Sequence, residues 1–409
     1  MKSKEELFKT KTFCMMPWVH MHVWPAGKTF PCCMADPNCD IGNTNEKSLL
    51  ELWNSGRMKF IRKSMLNDRQ IPDCRRCYEL EESGMRTLRN SSLENFGHHF
   101  DKVLGTHDDG TVDELNMAYL DIRFSNLCNM SCRTCGPQFS TGWYDDHKKI
   151  HGDPGHPKVL QVSKNMKTWF EKLKDVLDTV EEVYFAGGEP LITEEHYKIL
   201  DYWIETNKKD VRIGYTTNFS LMNYKKKSIY DYWNSFGNVR VAASLDATWE
   251  RGEYLRKGTN WDRTVQNRKT MIEKCPDVYF EITPTVSIFN CFNLPDFHKE
   301  WVESGLLEVD NIRINILLDP TEMRLQILPD MLKDKLRKRY QEHIDWLNTF
   351  TEKPHNALSG FKNLLYFIEQ KDYSDKIPMF KEITDRVDSV RNESFIETYP
   401  ELKELYDVE

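Results

Sequence analysis

The feature of this sequence that most constrains its fold is a regular alternation of short apolar runs and amphipathic segments, which begins near residue 119. Strand-like runs start at Tyr119, Glu182, Val211, Val239, Phe280 and Ile312. The segments between them repeat apolar residues at helical spacing, as at Phe170, Leu173 and Val176. Because strands separated by helices pair in parallel through right-handed crossovers, the alternation predicts an α/β fold.

The number of strands narrows the architecture. Six strand-like runs are too few for a closed eight-stranded barrel, so we predict a partial (β/α)6 TIM-like barrel over residues 119–320. Functional residues then belong at the C-terminal ends of the strands. Residues 1–95 are predicted to form a small domain with a β-hairpin and helices, residues 96–118 a bridge, and residues 321–409 a helical C-terminal extension without apparent chemistry.

Composition excludes several classes of protein. The 409 residues include 21 Phe, 17 Tyr and 11 Trp, which is enough apolar surface for a large core. A net charge of −8 argues against nucleic acid as a partner. The charged first dozen residues and the lack of long apolar runs predict a cytoplasmic protein without membrane contact, or one in a host cytoplasm if the gene is phage-encoded. In a reducing compartment, 11 cysteines favour metal or redox chemistry.

Three cysteines follow the first predicted strand, in the segment "CNMSCRTCG". Cys128, Cys132 and Cys135 can hold three corners of a [4Fe–4S] cube, which leaves the fourth iron open. On spacing alone, zinc or an inert thiol cluster is the alternative. A closed zinc site needs a fourth ligand, however, and the next histidine, His147, lies in a polar insertion.

This loop resembles the signature of the radical S-adenosylmethionine (SAM) enzymes, Cys-x3-Cys-x2-Cys after the first strand of a partial barrel. The resemblance implies that SAM binds the open iron through its amino and carboxylate groups. It also implies reductive cleavage of SAM to a 5′-deoxyadenosyl radical, which abstracts hydrogen from a substrate. One position departs from the family pattern, because Thr134 stands where an aromatic residue usually precedes the last cysteine.

The segment "AGGEP" after the second strand resembles the family's Gly-Gly-Glu motif. By this resemblance Gly187, Gly188 and Glu189 meet the ammonium group of SAM. Glycines let a ligand approach the backbone closely, and a carboxylate complements a cation. A simple turn between strand and helix is the alternative for this motif taken alone.

Two further strand ends fit the same family. Asn218 ends the third strand, where the family often has a polar residue near the ribose. "SLDA" ends the fourth strand, and the resemblance assigns Ser244 and Arg256 to the SAM carboxylate, which suits the bidentate donors of arginine. Asp246 is expected to brace the loop, and a surface ion pair is the alternative role for Arg256.

A second group of cysteines precedes the barrel. "HMHVWPAGKTFPC" reads as a hairpin that brings Cys14 and Cys32 together, and "CRRC" supplies Cys74 and Cys77. Four thiolates make a closed site, which suits either zinc or a [4Fe–4S] cluster. His20 and His22 alternate with aromatic residues in this hairpin and are expected mainly to pack and to form hydrogen bonds.

The spacing Cys-x9–15-Gly-x4-Cys, met here by Cys14, Gly27 and Cys32 and followed by "SLLELWNS" and Cys-x2-Cys, resembles the SPASM/twitch auxiliary-cluster domain of radical SAM enzymes. The resemblance makes Cys14, Cys32, Cys74 and Cys77 the ligands of one auxiliary [4Fe–4S] cluster. The segment has only Cys33 and Cys39 to spare, which favours the shorter twitch form, with Cys39 as a possible replacement ligand. In better-known members this domain follows the barrel, whereas here it comes first.

The sequence therefore predicts a radical SAM enzyme, an oxidoreductase with SAM and two [4Fe–4S] clusters as cofactors. The fully ligated auxiliary cluster is expected to transfer electrons, and a flavodoxin- or ferredoxin-type reductase to supply them. The expected reaction is oxidation or cross-linking of a peptide or protein. The alternatives are dehydrogenation of a small alcohol or sugar-like molecule, and a non-catalytic iron–sulfur or zinc module for sensing or scaffolding. The sequence identifies neither a catalytic acid or base nor an oligomeric state.

Overall fold

The computed structural model describes residues 2–82 and 86–406. The α-helices are α1 Lys4–Phe8, α2 Met16–Val19, α3 Leu49–Trp53, α4 Gly56–Leu66, α5 Arg75–Glu82, α6 Leu88–Phe96, α7 Phe100–Leu104, α8 Tyr144–His151, α9 Met166–Leu177, α10 Glu194–Glu205, α11 Ile229–Trp233, α12 Trp249–Leu255, α13 Trp261–Lys274, α14 Leu294–Glu303, α15 Asp330–Leu347, α16 His355–Gln370, α17 Ile377–Arg391 and α18 Phe395–Thr398. The strands are β1 His20–Val23, β2 Lys28–Phe30, β3 Gly42–Asn43, β4 Tyr119–Ile122, β5 Ser131–Cys132, β6 Glu182–Phe185, β7 Arg212–Thr217, β8 Asn223–Tyr224, β9 Lys227–Ser228, β10 Val239–Ala243, β11 Arg256–Lys257, β12 Tyr279–Ile282, β13 Thr285–Val286 and β14 Asn315–Ile316.

The chain divides into two compact units. Unit 1 consists of Met1–Asn126, Val159–Gly214 and Ser235–Asn238, and unit 2 of Leu127–Lys158, Tyr215–Asn234 and Val239–Glu409. The N-terminal hairpin and the first barrel strands thus fall in the same unit.

The sheet of unit 1 joins the hairpin to the barrel strands in the order β3-β2-β1-β4-β6. β1 and β2 pair antiparallel, which confirms the predicted hairpin, while β1 pairs with β4 and β4 with β6 in parallel. His22 stands opposite Asp121 in this register. The aromatic residues expected to alternate with His20 and His22 in the hairpin include Trp18, but Trp18 lies in α2, where Pro17 occupies the first turn and favours helix.

One face of β4 packs on a helix of unit 1. Phe124, just beyond the strand, contacts Trp169 of α9 with ring centroids 5.9 Å apart. Since successive side chains of a strand point to opposite faces, Asp121 and Arg123 lie on the face that α9 does not cover. That face carries polar groups at the C-terminal end of the strand.

Unit 2 continues the predicted alternation. β10 and β12 pair in parallel, Ile282 forms a parallel bridge with Ile312, and β13 pairs in parallel with β14. The C-terminal extension is helical, as predicted, and contributes aromatic rings to the core. Phe289 packs on Phe380 and Phe395, with centroids 5.5 and 5.9 Å away. Within the residues that the structure describes, no helix has the length and hydropathy that crossing a membrane requires.

Candidate metal centres

Four cysteines of unit 1 line a single cavity. Cys14 precedes α2, Cys32 follows β2, Cys74 ends the 3-10 turn before α5, and Cys77 lies in α5. Methionine and leucine side chains complete much of the wall, among them Met16, Met65 and Leu88. None of the eleven cysteines, all within the described ranges, forms a disulfide. The hairpin and the "CRRC" helix therefore present four free thiols to one largely apolar space.

Burial controls the protonation of the thiols in this cavity. It raises the pKa of Cys14 to about 11, and it also raises the pKa of Cys77. Both are therefore thiols near neutral pH. A bound metal centre would stabilise several thiolates here, and soft sulfur ligands in a dry cavity suit iron–sulfur clusters or zinc. The donor set thus fits the group that the sequence predicts.

The two spare cysteines of this segment do not line the cavity described by the four thiols. Cys33 is exposed, and the Sγ atom of Cys39 accepts a hydrogen bond from Nη2 of Arg57 over 3.0 Å. Arg57 also forms an ion pair with Asp73 at 2.8 Å. Because Cys39 does not line the cavity that the four thiols share, the structure does not favour it as a replacement ligand.

The three-cysteine loop of unit 2 is held by several backbone contacts. β5, which contains Cys132, pairs antiparallel with β11, and Cys132 stands opposite Arg256. The backbone of Cys128 forms hydrogen bonds with Oγ1 of Thr141, 3.1 Å from its N–H and 3.0 Å from its carbonyl. Trp143 donates its indole N–H to the carbonyl of Cys132. Strand pairing and hydrogen bonds within unit 2 therefore hold the backbone of the cysteine loop in place.

Arg256 lies directly beside one thiol of this loop. Its Nη1 is 3.6 Å from Sγ of Cys132, and it forms an ion pair with Asp246 at 2.8 Å. Burial raises the pKa of Cys132, and the positive charge of Arg256 opposes that rise. Asp246 also accepts the N–H of Thr285 over 2.8 Å, so it braces the loop as expected. Asp246 binds both Nε and Nη2 of the guanidinium, so this pair of Arg256 donors is already engaged.

Asn218 and Ser244 both lie in unit 2. Nδ2 of Asn218 donates to Oδ1 of Asn129 over 2.9 Å and is 4.0 Å from Sγ of Cys128. The backbone N–H of Ser244 donates to the carbonyl of Thr217 over 2.8 Å. The buried Asn218 amide therefore supports the cysteine loop.

The Gly-Gly-Glu segment lies in unit 1. Gly187 has φ +128°, and a Cβ atom there would lie 3.3 Å from Cβ of Arg123. Gly188 donates its N–H to the carbonyl of Ser125 over 3.3 Å. Glu189 is almost fully buried, and its carboxylate accepts the N–H of Leu191 over 3.0 Å. This segment combines a backbone that only glycine adopts easily with a buried carboxylate.

A buried polar array in unit 1 was not predicted. Nδ1 of His22 is 2.9 Å from Asp121, which also pairs with Nε of Arg123 at 2.9 Å. Trp24 donates to Nε2 of His22, so the ring proton is on Nδ1 and faces the carboxylate. Burial alone would raise the pKa of Asp121, but Arg123 and His22 hold it well below its usual range. The sequence signal for this array is the pair of charged residues within the strand "YLDIRF".

A second unpredicted network joins the cysteine loop to the C-terminal extension, within unit 2. Arg133, between Cys132 and Cys135, forms ion pairs with Asp388 of α17 and with Glu393, the latter at 2.6 Å. Its guanidinium also stacks 3.5 Å from the ring centroid of Tyr254. The Arg133 side chain is only 2% exposed. The extension therefore supports the cysteine loop.

Comparison with known families agrees with this arrangement. A model of the radical SAM superfamily matches residues 122–305, and a model of the SPASM iron–sulfur cluster-binding domain matches residues 14–78. The chain therefore contains a radical SAM domain and a SPASM domain. Its radical SAM and SPASM domains imply SAM and [4Fe–4S] clusters as cofactors.

Several solved structures are similar to this radical SAM protein. Native anSMEcpe with bound AdoMet and Cp18Cys peptide has 18% identity and a TM-score of 0.37, and the match covers 55% of this chain and 58% of that one. Streptococcus suis SuiB bound to S-adenosylmethionine has 15% identity and a TM-score of 0.39, with 74% and 62% covered. The chain thus spans less than two thirds of the length of these two proteins. No curated protein matches it.

Proposed function

We propose that this radical SAM enzyme oxidises or cross-links a peptide or protein, with an auxiliary [4Fe–4S] cluster as electron carrier. The observation that carries the proposal is the separation of the cysteines into two sets with different ligand numbers. Four thiols share a closed cavity in the SPASM range, whereas three lie on a loop in the radical SAM range. A four-thiol site satisfies every iron of a cube, and a three-thiol site leaves one iron for a further ligand.

In the proposed site of unit 2, Cys128, Cys132 and Cys135 hold the cluster to which SAM binds. When bound, this cluster and SAM supply a 5′-deoxyadenosyl radical that abstracts hydrogen from the substrate. Pairing of β5 with β11 fixes Cys132, and Arg256 places positive charge 3.6 Å from its sulfur. That charge stabilises the thiolate over the thiol, because opposite charges attract more strongly where water is scarce.

The SAM contacts follow from the same resemblance. Asn218, Ser244 and Arg256 are proposed to bind SAM in unit 2. Since Asp246 occupies two nitrogens of the guanidinium, Arg256 has the remaining N–H groups on Nη1 and Nη2 for a carboxylate. In unit 1, Gly187, Gly188 and Glu189 keep their proposed role toward the ammonium group, which the buried carboxylate of Glu189 suits.

The auxiliary ligands are proposed to be Cys14, Cys32, Cys74 and Cys77. With four protein thiolates this cluster has no vacant iron for a substrate, so electron transfer is its role. We place the enzyme in the cytoplasm and expect a flavodoxin- or ferredoxin-type reductase. A small alcohol or sugar-like substrate is the alternative to a peptide.

Anaerobic reconstitution followed by addition of dithionite and SAM tests the proposal. We expect about eight irons per chain, as two cubane clusters require, and formation of 5′-deoxyadenosine. Replacing Cys128, Cys132 and Cys135 with Ala should abolish that product. If the chain instead binds zinc in place of iron and leaves SAM intact, the proposal is wrong and the chain is a non-catalytic module for sensing or scaffolding.

The substrate class needs a second experiment. Extract from the source cells is separated by size into a small-molecule fraction and a peptide and protein fraction, and each is added to the reduced enzyme. Stimulation of 5′-deoxyadenosine formation by the larger fraction, lost on protease treatment, supports a peptide or protein substrate. Stimulation by the small-molecule fraction alone overturns that part of the proposal.

A further inference from the structure

Two histidines and a glutamate meet in unit 1 at a place that the chemistry above does not use. Nε2 of His98 is 2.9 Å from Oε2 of Glu181, and Nε2 of His99 is 2.6 Å from Oε1. One nitrogen from each ring and one carboxylate oxygen lie within 4.8 Å of one another. Two imidazoles and a carboxylate are a ligand set that zinc and other divalent transition metals bind, with a position left for water.

The backbones that carry these groups are well anchored. His98 and His99 form a 3-10 turn between α6 and α7, flanked by the buried rings of Phe96 and Phe100. The backbone N–H of Glu181, the residue just before β6, donates to the carbonyl of Ala118 over 2.8 Å. The three side chains are therefore presented from fixed elements, and a metal ion requires only side-chain adjustment to reach bond lengths of about 2.0–2.2 Å.

A cationic side chain lies beside these ligand groups. Lys102 opposes the metal, since its ammonium is near Glu181 and its Nζ has no hydrogen-bond partner among the described residues.

We propose that His98, His99 and Glu181 form a site for a divalent transition metal, best suited to Zn²⁺. The bound ion would link the turn between α6 and α7 to the residue just before β6. The site is separate from both cysteine sets and does not depend on the proposed function. Zinc here should stabilise the folded chain, because an ion that binds only the native arrangement shifts the equilibrium toward it. Lys102 should keep the affinity below what the ligand set alone would give.

Equilibrium dialysis of the anaerobically reconstituted protein against Zn²⁺, with bound zinc and iron both measured by mass spectrometry, tests this proposal. The wild type should bind one more zinc per chain than His98→Ala, at unchanged iron content. His107→Ala is the matched control, because His107 is 54% exposed against 55% for His98 and also lies 2.9 Å from a carboxylate. It should bind zinc as the wild type does.

Two more variants sharpen the test. Glu181→Gln should weaken zinc binding at least about tenfold, as loss of a coordinating or supporting group typically does. Lys102→Met should tighten it at least about threefold, since it removes a positive charge near the ion. Equal zinc binding by wild type and His98→Ala, or weaker binding by Lys102→Met, would overturn the proposal. Because His98 is half-exposed, His98→Ala should retain its fold, which circular dichroism and iron content check.

Discussion

The contact between the cysteine loop and the C-terminal extension makes a quantitative prediction for Arg133→Met. This substitution removes a cation that Asp388 and Glu393 share, while keeping a side chain of similar length. Breaking a buried ion pair from one side costs about 3–5 kcal/mol, because the remaining charges stay desolvated.

The surrounding contacts place the cost at the lower end of that range. Asp388 keeps two donors, the hydroxyl of Tyr254 at 2.8 Å and the N–H of Phe395 at 2.7 Å. Glu393 keeps Lys257 at 2.7 Å. A loss of about 3 kcal/mol corresponds to a fall in Tm of about 6–12 °C for a unit of roughly 150–250 residues.

Differential scanning fluorimetry under anaerobic conditions measures this shift. The matched control is Arg386→Met on α17, the helix that carries Asp388, where the arginine is 54% exposed and pairs with Glu382 one turn away. An exposed pair of this kind contributes at most about 0.5 kcal/mol, so the control should shift Tm only slightly. Equal shifts in the two variants would refute the idea that the extension stabilises the loop.

The iron content of Arg133→Met is a second measurement that tests the same contact. If the loop loses its support, iron in Arg133→Met should fall from about eight per chain toward about four, with the auxiliary cluster retained. Combining Arg133→Met with Asp388→Asn should cost less than the sum of the two single changes, because both remove the same interaction. Full iron content together with additive effects would contradict the proposed support.

Three further predictions concern the backbone, the auxiliary ligands and pH. Gly258→Ala should lower stability by about 1–3 kcal/mol, since φ is +105° and a Cβ would lie 2.7 Å from a backbone oxygen of the cysteine loop, whereas Gly237→Ala, in open space, should not. Cys74→Ser should remove about four irons, as one cubane cluster contains, while Cys39→Ser should remove none; equal iron in both would refute the assignment. Burial lowers the pKa of His298 to about 4, so the unfolded chain takes up a proton there first as the pH falls. Stability should therefore fall by about 2 kcal/mol between about pH 6.5 and pH 5, and His298→Gln should show a shallower decline in Tm.

Much of the architecture could be predicted because its signals are local. The hairpin at His20–Phe30 has alternating residues around a Pro-Ala-Gly-Lys turn, and the structure confirms it. The helix at Met166–Leu177 and the strand at Glu182–Phe185 likewise lie where apolar periodicity put them. Each of these patterns extends over fewer than about 20 residues, within the range over which backbone geometry sets periodicity.

The parts that could not be predicted join residues far apart in sequence. His22 meets Asp121 only because β1 pairs in parallel with β4, a register that neither strand shows by itself. Arg133 and Asp388 are separated by 255 positions. His98 and His99 lie in a polar segment without recognisable ligand spacing, and their partner, Glu181, is more than 80 positions away.

The number and spacing of the thiols, the glycines beside a glutamate, and the order of strands and helices can all be read from the sequence. They depend on residue type and short spacing, which the covalent chain sets. The folded arrangement was needed to show which charges neutralise one another, which thiols share a dry cavity and which side chains support the cysteine loop. Such contacts depend on strand register and helix packing, and burial gives them their strength because a charge removed from water must find a partner.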